Sequence, residues 1–334
     1  FTIGAESDAG EPWNGYIDEV RVYDRAITAE EIAKLYQLKP DSVNVDDASN
    51  FQLMPGKGRT IVRTESGTLY SFIEDSSNCE IWKSIDGVTW VVANATAISC
   101  SQKNITAMAI DSADNIHVAY LSSLNIRYRK FITSTDTWDG AGELTIRTAN
   151  DSVQEVSIAV DSNDKPHAAF VTNETLDTQD REVGYSNAIS GSWKTRVVIE
   201  ASTNYLLQSV DITIDEDNVP LVAYIHSTNG DSATAGGNQN DATSFSVYDA
   251  DVSVSTTLDA LGASIGVDTL SGITWISYID SGGTISLATR ADGNETLLWS
   301  SNWSTITTKS DIGYEPSLAI AGNGDVYVFY QEDS

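Results

Sequence analysis

From residue 60 onward, apolar and polar positions alternate in short runs, and the runs come in pairs separated by Ser, Asn, Asp or Gly. That is the pattern of half-buried strands joined by tight turns. Six such segments align with one another: TIVRTESGTLYSF (60–72), AIDSADNIHVAY (109–120), AVDSNDKPHAAF (159–170), TIDEDNVPLVAY (213–224), GVDTLSGITWISY (266–278) and AIAGNGDVYVFY (319–330). Aligned on their closing aromatics, Phe72, Tyr120, Phe170, Tyr224, Tyr278 and Tyr330, the units lie 48, 50, 54, 54 and 52 residues apart by subtraction. A β-rich unit of this length, with no helical period between copies, predicts propeller blades. Each aligned pair supplies strands A and B. A second hairpin, seen in EIWKSIDGVTWVVA (80–93) and NIRYRKFITSTDTW (125–138), supplies strands C and D, with Trp90, Trp138 and Trp193 just after its turn. The expected fold is all-β: a six-bladed β-propeller of four-stranded antiparallel blades over 51–334, its last blade incomplete. Residues 43–54, which include NFQLM, are expected to pack as an outer strand beside the sixth unit, because an open strand edge is an aggregation hazard.

The first forty residues follow a different pattern. Alternation over 13–23 predicts a strand, and Thr28 followed by Ala-Glu-Glu predicts an N-cap and a short helix over 29–35. Residues 1–38 are too few to bury both faces of a sheet on their own. Residues 39–50, with Pro, Asp and Ser and no period, are expected to link them to the propeller.

Charge and cysteines narrow the functions. The chain holds 19 basic and 48 acidic residues, a net charge of −29, with the acids dispersed. Such a surface repels nucleic acid and anionic membrane, and suits solubility or bound divalent cations. No apolar run of about 18 residues predicts a membrane span. The two cysteines, Cys79 and Cys100, exclude a cysteine-based zinc site. On an exported chain they are expected to form a disulfide.

Two resemblances extend this reading. The run W-N-G-Y-I-D-E-V-R-V-Y-D-R-A-I-T-A-E-E-I (13–32) resembles the last strands and closing helix of laminin-G-like, concanavalin-type jelly rolls. SIDGVTW (84–90) resembles the Asp-box of sialidase-like (BNR) propellers. That likeness implies that Ser84 and Asp86 bond turn amides, that Gly87 takes a positive φ and that Trp90, after Thr89, packs between sheets. DIGYEPSLAIAGNGDVYVFYQ (311–331) resembles the sialidase segment that carries a nucleophilic tyrosine, which would fall on Tyr314, with Arg59 and Asp75 completing the set for a hydrolase. The arginine clamp departs from that pattern. Its first position is Lys57, Arg59 is displaced by two, and no arginine follows Phe72 in IEDSSNC. Lysine does not replace a bidentate guanidinium.

The remaining candidates read as framework. His117 and His167 occupy one slot in consecutive units, where other units hold Leu221 and Tyr327, and this argues against a metal pair. Asp111, Asp161, Asp215 and Asp268 recur at the end of strand A, where a carboxylate caps a turn more readily than it binds calcium. Calcium remains an expectation for the acidic B–C loops, at Glu74, Asp75, Asp177 and Asp180. The reading is an extracellular or cell-surface protein that is not an enzyme and binds a glycan or surface protein through its loops. The alternatives are a structural subunit of a surface layer, sheath or appendage, and a sialidase-type glycoside hydrolase.

Overall fold

Each inner strand ends at a turn closed by its own backbone. Asp111 N donates to Asn115 O at 2.9 Å and Asp114 N to Asp111 O at 3.0 Å. The same pair of bonds recurs at Thr64–Thr68, Asp161–Lys165, Asp215–Val219 and Ala321–Asp325. The fourth residue of each turn is left-handed: Gly67, Asp114, Asp164, Asn218 and Gly324. Gly takes that conformation freely, and Asp and Asn are the side chains that best tolerate it. In the fifth unit the turn is one residue longer, and Gly272 N closes it onto Asp268 O at 2.8 Å.

The computed structural model describes residues 60–75, 78–100, 105–148, 153–173, 181–202, 207–226, 231–237, 245–249, 262–268, 270–279, 284–290, 304–321 and 323–332. Every regular element among them is a strand, and all pairing is antiparallel. The first sheet holds β1 (Ile61–Arg63), β2 (Leu69–Asp75), β3 (Asn78–Ser84) and β4 (Val91–Ser99) in sequence order. The second holds β5 (Thr106–Ile110), β6 (Ile116–Ser122), β7 (Asn125–Ile132) and an outer strand split into β8 (Thr137–Trp138) and β9 (Leu144–Thr148), both pairing with β7. The third is β10 (Val153–Val160), β11 (Pro166–Asn173), β12 (Arg181–Asn187) and β13 (Val197–Ser202). The fourth is β14 (Leu207–Ile214), β15 (Pro220–His226), β16 (Asp231–Gly237) and β17 (Phe245–Asp249). The fifth begins with β18 (Ala263–Asp268), β19 (Ile273–Ile279) and β20 (Thr284–Arg290). Its outer strand, β21 (Ser304–Ile320), pairs with β20 as far as Ile312 and from Gly313 with β22 (Val326–Glu332). One strand is thus the outer edge of the fifth sheet and the inner strand of a sixth hairpin, the A–B pair expected there.

The core lies between sheets. Because side chains alternate across a strand, β6 sends Ile116, Val118 and Tyr120 toward the first sheet and Ala119 and Leu121 toward the third. In β11, Ala168 and Phe170 face the second sheet, and Ala169 and Val171 the fourth. In β15, Val222 and Tyr224 face the third, and Leu221, Ala223 and Ile225 the fifth. The closing aromatics Tyr120, Phe170 and Tyr224 are fully buried. Each such burial contributes about 1.5–3 kcal/mol. Trp138 and Trp193 pack against the seams on either side of the second sheet.

The first unit corrects the sequence alignment. Tyr120, Phe170 and Tyr224 each lie nine residues after the turn residues Asp111, Asp161 and Asp215, and nine after Thr64 is Ile73, not Phe72. Phe72 therefore takes the slot of Ala119 and Ala169 and faces forward, its ring 5.8 Å from that of Tyr120. The turn sets the register, and aligning on aromatics shifted this unit by one.

Phe170 also explains a glycine. Across the β11–β12 pair it lies opposite Gly184, where an added Cβ would come within 2.4 Å of the Phe170 ring. Gly184→Ala is expected to cost about 1–3 kcal/mol, the range for overpacking a filled core. Urea unfolding checks it, and an unchanged midpoint would mean that the ring has room to move.

The jelly-roll tail over 1–38 with its helix at 29–35, the linker at 39–50 and the closing segment at 43–54 lie outside the described residues.

Candidate functional site

The residues best suited to proton chemistry form two copies of one arrangement. In the second sheet, His117 Nε2 lies 3.2 Å from Asp111 Oδ2, and Tyr128 Oη lies 2.8 Å from His117 Nδ1. In the third, His167 Nε2 lies 3.3 Å from Asp161 Oδ2, and Tyr185 Oη lies 2.6 Å from His167 Nδ1. Both imidazoles are buried. Burial holds His117 below the ordinary histidine range, against the pull of Asp111. In a neutral ring, Tyr128 donates to Nδ1 and Nε2–H donates to Asp111, so every polar atom of the trio is used.

The aspartates do more than orient histidine. Asp111 Oδ1 accepts from Ala113 N and Asn115 N, and Lys130 Nζ lies 2.6 Å from Oδ2. Burial alone would raise its pKa, but the donors His117, Lys130 and Asn115 outweigh it and hold the carboxyl well below the usual range. Asp161 accepts from Asn163 N and Lys165 N and is lowered in the same way. The left-handed residues then join neighbouring turns. Glu65 N donates to Asp114, Ser112 N and Oγ donate to Asp164, and Ser162 N and Oγ donate to Asn218. Asp161 and Asp164 thus spend their oxygens on turn donors, which favours capping over calcium at that turn.

These groups set a pH dependence. His117 is depressed on folding, so the unfolded chain takes up its proton first, and stability falls as pH drops below about 6.5. The lowered Asp111 and Asp161 keep their contribution until pH falls below about 4, where the unfolded chain protonates first. The thermal midpoint is expected to fall from pH 6.5 toward 4.5, and His117→Gln to flatten that slope. An equal slope in the variant would contradict the burial argument.

Near the inner strands, Asp211 ties three sheets together. Its Oδ1 accepts from Ser157 Oγ at 2.9 Å and Ile212 N at 3.0 Å, and its Oδ2 from Ser264 Oγ at 2.8 Å and Ile265 N at 3.0 Å. Ser264 Oγ accepts from Leu318 N, Ser209 Oγ from Ala263 N, and Glu155 Oε2 from Val210 N. These bonds stitch the inner strands β10, β14, β18 and β21.

In the first sheet, Asp86 Oδ1 accepts from Ser84 Oγ, Val88 N and Thr89 N, Ser84 Oγ accepts from Gly87 N, and Gly87 has φ +74°. The amides of Thr89 and Val88 lower the Asp86 carboxyl to about 2. Trp90, two residues beyond Val88, is half-buried. Cys79 and Cys100 form the disulfide. Both are buried in the seam between the first and second sheets.

The sequence-derived catalytic and metal candidates fall largely outside the described residues. Arg59, Lys57, Asp177 and Asp180 lie outside the described residues. Glu74 and Asp75 lie on β2 and Tyr314 on β21, with side chains outside the description. Among the described residues, no three His, Cys, Asp or Glu side chains gather as a metal site. Sequence reasoning missed Tyr128, Tyr185 and Asp211. The available signal was a tyrosine on strand C of each histidine-bearing unit.

Comparison with known proteins finds likenesses for both parts of the chain. A family model described as the concanavalin A-like lectin/glucanases superfamily matches residues 1–33. No curated protein matches the chain. Three solved structures share the fold of the strand-rich part. An ulvan lyase of a new polysaccharide lyase family superposes with a TM-score of 0.53 at 10% identity, over 81% of this chain and 78% of that one. A protein of unknown function from Dyadobacter fermentans gives 0.51 at 8% identity, over 80% and 92%. A Hadza microbial sialidase gives 0.50 at 14% identity, over 81% of this chain and 62% of the sialidase. Likeness at such identities is likeness of fold. Among the described residues, no helix is long and apolar enough to cross a membrane.

Proposed function

We propose that the chain is an extracellular, non-enzymatic binding protein whose propeller and jelly-roll loops recognise a glycan or a surface protein. The observation that carries this is the state of the two Asp–His–Tyr trios: buried, mutually bonded and spent on the turns, they act as framework and leave the loops to do the recognising. The lectin-superfamily match at the N-terminus adds a second glycan-associated fold, and the ulvan lyase and the sialidase show this architecture serving carbohydrate chemistry. The disulfide fits an oxidising compartment. The Ser84–Trp90 turn is read as an Asp-box of the BNR type, and the repeat as six blades. Calcium is proposed for the acidic B–C loops.

A glycan array probed with the whole chain, with and without chelator, is expected to show selective binding. The same protein is expected to leave fluorogenic sialosides intact at several pH values. Turnover abolished by Tyr314→Phe would instead assign Tyr314, Arg59 and Asp75 to a sialidase site. One observation favours a structural surface subunit as the second reading: Tyr327 and Phe329 on β22 are 50% and 63% exposed, an apolar edge suited to assembly. Concentration-dependent filaments without glycan binding would select it.

A further inference from the structure

We propose that the seam between the first and second sheets holds an anion-recognition site, built on Arg127 and Arg129, for the carboxylate or sulfate groups of an acidic polysaccharide. The inference rests on the glycan-binding reading above and names the ligand class.

The chain has only 19 basic residues against 48 acidic ones, yet Arg127 and Arg129 stand two apart on β7, and Arg147 follows on the neighbouring β9. Residues two apart on a strand share a face, about 6.6 Å from one another. That face is the one toward the first sheet. The Arg129 guanidinium carbon lies 4.9 Å from the centre of the Trp138 ring, and Trp138 packs in the seam and donates from Nε1 to Thr96 O at 3.1 Å. Arg127 pairs with Glu143 at 3.3 Å and bonds Thr145 Oγ1. Tyr120 Oη donates to Glu143 Oε2 at 2.5 Å, and both arginines act on that hydroxyl electrostatically. Arg127 thus pairs with the carboxylate that also serves Tyr120, while Arg129 acts on the same hydroxyl and on the nearby Asp139.

The stereochemistry leaves unused capacity. Among the described residues the buried Arg129 Nε has no hydrogen-bond partner, and the contact with Trp138 engages the cation's face. A guanidinium held against an aromatic ring has fewer orientations open to it, and its planar N–H edge can take carboxylate or sulfate oxygens in a forked contact. The Arg127 side chain is 26% exposed, so the strip is reachable. On a chain of charge −29, these guanidiniums are the groups that attract an anionic polymer, in competition with Glu143 and Asp139. The disulfide between Cys79 and Cys100 lies in the same seam and ties β3 to the end of β4.

The test titrates the whole chain with polygalacturonate, a sulfated galactan and an uncharged galactan. At least one acidic polymer is expected to bind more tightly than the neutral one, with affinity falling as salt rises. The polymer that responds distinguishes carboxylate from sulfate. Arg129→Ala and Arg127→Ala are each expected to weaken that binding by about tenfold or more. Arg129→Lys, which keeps charge and fold but loses the fork, is expected to lie between. Glu143→Gln, which removes the competing carboxylate and keeps an acceptor for Tyr120, is expected to tighten binding, a gain that a purely structural role would not produce. Acidic-polymer binding unchanged in the arginine variants, or wild-type binding confined to the uncharged galactan, overturns this site and leaves the glycan-binding reading standing. Failure of the wild-type chain to bind any glycan overturns both.

Discussion

Replacing Asp211 with alanine is expected to destabilise the protein by about 3–5 kcal/mol, because it strands two or three buried donors at about 1–3 kcal/mol each. Ser157 Oγ, Ser264 Oγ and Ile265 N all point at this carboxylate, from the sheets on either side of its own. Asp211→Asn keeps the shape but turns one acceptor into a donor facing another donor, so it is expected to lose much of the same stability. Equilibrium urea unfolding measures both. A loss within the ±0.5 kcal/mol of an ordinary surface substitution would mean that the inner strands hold together without this hub.

The second large effect belongs to the disulfide. Reducing it, or changing both Cys79 and Cys100 to serine, is expected to cost about 3 kcal/mol, the loop-closure entropy for a bridge of this span. The two cysteines are 21 residues apart and buried beside Ile81, Ile98 and Met108, so the serine pair also places two hydroxyls in an apolar seam. Unfolding with and without reductant gives the difference. Native protein in which mass spectrometry finds both thiols free would contradict it.

Much of the fold was legible because the turns write themselves into the sequence. Asp at the end of strand A, followed three residues later by Asp, Asn or Gly, marks Asp111 with Asp114, Asp161 with Asp164 and Asp215 with Asn218. What the local pattern lacked was register between units. Ser157, Asp211 and Ser264 each lie four residues before their turn aspartates, but as two serines and one aspartate they show no common identity. Only the packing of neighbouring inner strands reveals that they bond one another. Phe72 misled for the opposite reason. It is an aromatic near the right place, and only the turn at Thr64 shows that it faces the next sheet. The histidines were legible as framework, yet their tyrosine partners sit on another strand at different sequence distances, 11 residues from His117 and 18 from His167. Arg127 and Arg129 lie on an alternating strand, and no local pattern sets Trp138, on another strand, against one of them.

A binding protein must take up glycan without altering it. Calorimetric titration of the whole chain with the acidic polymer that it prefers, followed by size analysis of the recovered polymer, measures both at once. Saturable heat and a polymer of unchanged length and unchanged reducing ends are predicted. Shortened chains or new reducing or unsaturated ends would contradict it and make the protein an enzyme.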